Sequence, residues 1–162
     1  MLRTLIIVLS TFALALSAEG QQCPFSGITL NGFGTGTGTC ADSVLNASLD
    51  TSACRVDFDF QPEPFICGNV FLSQNILLVG ASPLPQPFAL SNPFLPGSNL
   101  YVAPVQAFGP FPGGKASLPV PPEAILIGQS LTFQSVPFYF STIPFPGHTE
   151  IGTSTGLTVT LN

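Results

Sequence analysis

His148 is the one histidine of the 162-residue chain, and it stands two residues from Glu150 in a turn rich in proline and glycine. General acid–base or nucleophilic work needs a base positioned by a neighbour. Serines are plentiful, yet no Gly-x-Ser-x-Gly elbow frames one of them, and a histidine in an exposed turn is the plainer reading. A glycosidase would need two carboxylates facing each other across a cleft. Asp57, Asp59, Glu123 and Glu150 are available, but no motif arranges them. The expectation is a non-catalytic protein with no cofactor.

Asp57 and Asp59 are oxygen donors of the kind that hold calcium, with Asp42, Asp50 and Glu63 as further candidates. No Asp-x-Asp-x-Asp-Gly loop accompanies them, so solvated strand charges are the expected role and no metal site is assigned. Cys23, Cys40, Cys54 and Cys67 are separated by more than ten residues at each step, unlike the Cys-x-x-Cys pairs that bring two thiolates to one zinc ion. An even number of cysteines in an exported chain points instead to two disulfides. Three pairings are open; Cys40 with Cys54 and Cys23 with Cys67 is favoured, because the first pair would close one hairpin-like unit. The run Gly32-Phe33-Gly34-Thr35-Gly36-Thr37-Gly38-Thr39 superficially looks like a phosphate-cradling loop. Such a loop needs a strand before it and a helix N-terminus after it. The sequence indicates neither, and no lysine follows, so a flexible or bulged surface strand is expected.

The elements that must carry these residues are strands. Arg55 to Phe60 alternates strictly, with Val56, Phe58 and Phe60 on one face and Arg55, Asp57 and Asp59 on the other. Asn69 to Gly80 contains Ile76 to Val79, apolar on both faces, as in a strand held between two layers. From Ser82 to Pro122 prolines recur too often for helices, leaving Leu100-Tyr101-Val102 and Val105 as strand fragments. Leu118 to Val136 is a proline-stiffened turn leading into a core strand. Leu131 and Phe133, with Ser135, would face the core, and Thr132, Gln134 and Val136 the opposite side of a half-buried strand. Leu157, Val159 and Leu161 alternate with threonines in a terminal strand. The fold class expected is all-β: an antiparallel β-sandwich with Pro/Gly-rich loops.

Met1 to about Gly20 reads as a secretory signal helix, with Arg3 at its start, an apolar run from Leu5 to Leu16, and small residues at Ser17, Ala18 and Gly20. The run is too short to span a bilayer, which takes about 20 residues. The expected organisation is a cleaved signal over 1–20 and one domain over 21–162, with a disulfide-bearing part, 21–67, and a cysteine-free part, 68–162. Charged residues make up 7% of the chain and the formal net charge is -5. Three basic residues cannot neutralise a phosphate backbone, so nucleic acid and anionic lipid are excluded as partners, and with the short apolar run removed no membrane insertion of the mature chain is expected. A surface so poor in charge suits an extracellular or cell-surface location.

Four stretches also carry a resemblance. Leu118 to Pro121 leads through Gly128 to the strand Leu131 to Gln134; before it come Gly34 to Cys40 and Ile76 to Gly80, and after it Gly156 to Leu161. In this order they resemble the uncharacterised C-terminal β module that recurs in secreted proteins of Planctomycetes and similar bacteria. The resemblance implies a fold and a bacterial, exported location, and no catalytic residue. Two functional expectations follow. One is a structural or surface-interaction protein whose partner is an unknown extracellular or cell-surface protein or glycan. The alternative is a small carbohydrate-binding module, for which only Tyr101 and Tyr139 offer the favoured stacking rings, since the chain has no tryptophan.

Overall fold

The computed structural model describes residues 23–38, 43–61, 65–67, 70–142 and 147–162. The signal segment expected over 1–20, together with Cys40, Asp42 and Glu63, lies outside them. In chain order the strands are β1 (Ile28–Phe33), β2 (Val44–Asp50), β3 (Arg55–Gln61), β4 (Phe65–Cys67), β5 (Val70–Gly80) and β6 (Pro83–Ala89). They continue with β7 (Asn99–Val102), β8 (Gln106–Pro112), β9 (Lys115–Pro119), β10 (Ser130–Ser141), β11 (His148–Ile151) and β12 (Gly156–Leu161). The described residues are therefore all-β, and every strand pairing is antiparallel.

β10 is the spine of the larger sheet. Along one edge it pairs with β5, from Thr132 opposite Gly80 to Ser141 opposite Val70. Along the other it pairs first with β12 and then with β11. Pro137 sits inside this central strand, where a proline would ordinarily leave a ladder bond unmade. It is tolerated because it falls at the break between the two partner strands: there the Pro137 carbonyl accepts the Gly152 N–H at 3.0 Å, and the Ser135 carbonyl accepts the Ser154 N–H at 2.9 Å. β1 extends the sheet beyond β12, and β4 and β8 flank β5.

The second sheet, β2-β3-β9, lays its apolar face on this one. Leu45, Val56, Phe58, Phe60, Ala116 and Leu118 join Leu77, Val79, Phe133, Leu157 and Val159 in one core, which Phe25, Val120 and Leu126 help to close. At its centre the Phe58 and Phe133 rings lie 4.7 Å apart, tilted by 46°. Val56, Phe58 and Phe60 thus occupy the face that the alternation requires, and so do Leu131 and Phe133.

The opposite face of β10 departs from the expectation of a half-buried strand. Thr132 is 1% exposed and Gln134 0%, because β7 and the loop between β11 and β12 cover them. The Tyr101 N–H donates to Gln134 Oε1 at 2.9 Å, and Gln134 Nε2 donates to the Asn99 carbonyl at 2.8 Å and the Ser154 carbonyl at 3.0 Å. Thr132 Oγ1 donates to the Gly80 carbonyl. Buried polar groups persist only when hydrogen-bonded, and these are.

The proline-rich span forms more strand than its composition suggests. β7 falls on the expected Leu100 to Val102, but β6, β8 and β9 form as well. β6 pairs with β7 only at its two ends, Pro83 opposite Val102 and then Phe88 and Ala89 opposite Leu100 and Asn99, with the register broken across the prolines between them.

The disulfide joins Cys23 to Cys54, whose Cα atoms are 5.1 Å apart, within the range such a bridge needs. This replaces the expected pairings of Cys54 with Cys40 and of Cys23 with Cys67. Cys54 closes the β2–β3 turn with a φ of 46°, and its carbonyl accepts the Val120 N–H. Ser43, which leads into β2, stands a full strand away from that turn, about 20 Å for seven residues. The lead-in at Cys23 arrives on the turn side, running past the chain end, where the Ser26 N–H donates to the Asn162 carbonyl.

Candidate functional site

One face that gathers polar side chains from three strands is the outer face of β2-β3-β9. Asn46 and Ser48 from β2, Arg55, Asp57 and Asp59 from β3, and Lys115 and Ser117 from β9 alternate with the core residues, which sends all of them to the solvent side. Register sets Asp57 between Ser48 and Ser117, and Asp59 between Asn46 and Lys115. The face is a lattice of polar side chains on three paired strands, with charges tied to one another at one end. Arg55 reaches Asp50 at 3.2 Å and Asp57 at 3.1 Å, and Ser117 Oγ donates to Asp57 Oδ1. Asp50 also accepts from Ser52 Oγ and from the Ser52 and Ala53 N–H groups, capping the hairpin turn. The Ser52 hydroxyl and the Ala53 N–H hold its carboxyl below the ordinary aspartate range, with Arg55 adding to the effect.

Asp57 therefore meets a guanidinium and a hydroxyl donor, and Asp59 lies opposite Lys115, so the two carboxylates considered for calcium sit among cationic and donor partners. Among the described residues, no three His, Cys, Asp or Glu side chains gather in one place. His148 Nε2 stands 2.9 Å from Glu150 Oε1 on β11. The two share one side of a strand by alternation, and both belong to the far end of the larger sheet, away from Asp57 and Asp59. Glu123 precedes the short 3-10 turn Ala124–Leu126. Of the carboxylates named from the sequence, Asp57 and Asp59 share one face of β3, while Glu123 and Glu150 stand on other elements.

The glycine-rich run has a strand before it, contrary to expectation, since Gly32 and Phe33 belong to β1. The next described element after it is another strand, β2, so the loop does not supply a helix N-terminus to an anion. Two of its glycines, Gly34 and Gly36, serve close packing. Gly34 has a φ of +72°, and a Cβ there would stand 2.6 Å from the Tyr101 ring. Thr35 uses its N–H to donate to the Tyr101 hydroxyl at 3.0 Å, and Thr37 exchanges backbone hydrogen bonds with Thr153.

Tyr101 and Tyr139, the rings considered for stacking on sugars, are 8% and 1% exposed. Burial pushes the Tyr139 hydroxyl above the ordinary tyrosine range, an effect opposed by its hydrogen bond with Ser43. Neither ring is a platform on the surface. What sequence reasoning missed is the interior polar set: Gln134, and on the other face Asn75, which accepts from Ser135 Oγ at 2.8 Å and donates to the Gly113 carbonyl at 3.0 Å. The available signal was an amide side chain within each of the two long strands, β5 and β10. No family model, curated protein or solved structure matches the chain. Among the described residues, no helix is long and apolar enough to cross a membrane.

Proposed function

We propose that this chain is a non-catalytic, secreted structural or surface-interaction protein, a small β-sandwich of bacterial origin that sheds its signal peptide near residue 20 and works outside the cell. The observation that carries the reading is the division of labour among polar side chains. Those inside, Gln134, Asn75, Ser135 and Thr132, are bound to backbone or to one another and hold the layers together. Those outside form the outer face of β2-β3-β9, whose charges neutralise each other locally. A rigid support behind a polar face suits contact with another surface better than it suits turnover of a small molecule. The Cys23–Cys54 disulfide is compatible with an oxidising, extracellular setting, and the resemblance to the planctomycete β module agrees with it.

The test is retention of purified protein on envelope fractions of its own host, with insoluble polysaccharides in parallel. Saturable retention on the envelope, weakened by Ser48→Lys with Asp59→Lys on that face, is expected. Selective retention on a polysaccharide would move the protein to the carbohydrate-binding class, and hydrolysis of that polysaccharide would overturn the non-catalytic reading. N-terminal sequencing of the exported form should start near Gln21; a mature chain that keeps Arg3 would refute the cleavage.

A further inference from the structure

Edge strands are ordinarily protected from pairing with other chains by proline, by charge, by shortness or by a covering segment. Most free edges of this protein show such a device. β6 carries Pro83, Pro85 and Pro87; β8 carries Pro110 and Pro112; β9 carries Lys115 and Pro119; β11 carries His148 and Glu150; β4 is three residues long. β2 ends on Asp50 and is bonded at its start by Thr155, whose N–H donates to the Ser43 carbonyl and whose Oγ1 accepts the Leu45 N–H. β1 stands apart. Its residues, Ile28-Thr29-Leu30-Asn31-Gly32-Phe33, include neither a charge nor a proline, and the four from Thr29 to Gly32 are exposed.

The direction of its free hydrogen-bonding groups follows from the register. Leu161 exchanges backbone bonds with the Gln129–Gly128 side, and Asn162 with Ser26 and Gly27, so on β12 the even-numbered residues face β1. Thr160 opposes Thr29, Thr158 opposes Asn31 and Gly156 opposes Phe33. In an antiparallel ladder these residues exchange both bonds, and their neighbours turn both groups the other way. The N–H and C=O groups of Ile28, Leu30 and Gly32 therefore point out of the sheet, and among the described residues no strand pairs with them.

We propose that β1 is a self-association edge, and that its occupant is the β1 strand of a second copy of this chain. The outward groups are disposed symmetrically about Leu30. A two-fold axis through Leu30 sets Leu30 against Leu30 of the second copy and Ile28 against its Gly32, which uses every outward N–H and C=O on both strands. Such an isologous pairing is the usual form of a two-fold interface. Because β1 carries no charge, the apposed strands meet no repulsion. Leu30, a large apolar side chain left 42% exposed, gains its own copy as a cross-strand neighbour, while Thr29 faces Asn31 across the other side. No Cβ contact crowds Gly32. The two seven-stranded sheets become one continuous sheet. This inference rests on the edge itself and is independent of the role proposed above.

Light scattering on the purified protein over a concentration series should give twice the chain mass, and Leu30→Lys, which sets two ammonium groups at the axis, should halve it without altering the far-UV spectrum. The register has its own readout. In a hydrogen-bonded pair the two Cα atoms lie roughly 5.5 Å apart, a distance a disulfide spans, so Leu30→Cys should form a covalent dimer in air while Thr29→Cys and Asn31→Cys should not. A monomer at every concentration, a dimer that survives Leu30→Lys, or equal cross-linking at all three positions would overturn the proposal.

Discussion

Replacing Gln134 by alanine removes the side chain that ties β7 and the β11–β12 loop to the spine strand. The Tyr101 N–H, at 2.9 Å, loses its acceptor, and the Asn99 and Ser154 carbonyls, at 2.8 and 3.0 Å, lose a donor. A buried group left unpaired costs about 1–3 kcal/mol. Water entering the vacated volume can answer the carbonyls more readily than the N–H, so about 1 kcal/mol for each carbonyl and about 2 kcal/mol for the N–H is the appropriate scale, a total near 4 kcal/mol. That equals the cost of Phe133→Ala in the core, about 3–5 kcal/mol. Urea unfolding of the three proteins provides the measurement, through midpoints at an unchanged slope. Gln134→Glu should be worse than Gln134→Ala at neutral pH, because it sets a carboxylate against two carbonyl oxygens. If Gln134→Ala stays within about 1 kcal/mol of the parent while Phe133→Ala costs several times more, the second covered face is refuted.

Gly34→Ala should destabilise strongly, since it combines a φ of +72° with a Cβ 2.6 Å from the Tyr101 ring; a thermal midpoint equal to the parent's would contradict that packing. Peptide mapping without reductant should recover Cys23 linked to Cys54 and no free thiol, which leaves Cys40 and Cys67 for each other; breaking the first bridge should cost about 2–4 kcal/mol. The Asp50 carboxyl is held below its ordinary range by the Ser52 and Ala53 donors, so its contribution is complete above the unfolded value of about 3.9 and is lost as pH falls through the lower folded one. Asp50→Asn should therefore flatten the acid limb of the stability curve below about pH 4; an unchanged acid limb would remove Asp50 from the account.

The parts of the fold that can be read from the residues are those decided by local alternation. Val56, Phe58 and Phe60 face the core because period 2 leaves no other arrangement, and Leu131 and Phe133 do so for the same reason. The same alternation sends Thr132 and Gln134 to the other face, but cannot say what lies on it. Their partners, Gly80, Asn99, Tyr101 and Ser154, are backbone groups from distant parts of the chain, and a backbone group has no signature in the sequence. The prolines misled for a related reason. They forbid helices, as read, yet an edge strand needs N–H groups on one side only, and which strands are edges is a property of the whole sheet. At the candidate site, the spacing of Arg55, Asp57 and Asp59 predicts one exposed face. The union of that face with Asn46 and Ser48 depends on the pairing of β2 with β3, and its union with Lys115 and Ser117 on β9, which proline and glycine conceal.

The claim on which the rest depends is that β10 is a spine covered on both faces and paired along both edges. Amide hydrogen exchange at residue resolution tests it directly. The Thr132, Phe133, Gln134 and Ser135 amides should be among the slowest in the molecule, exchanging only with global unfolding, while Leu30 and Gly32 should exchange fast in the monomeric Leu30→Lys form. Rapid exchange at Thr132 and Gln134 under native conditions would contradict it.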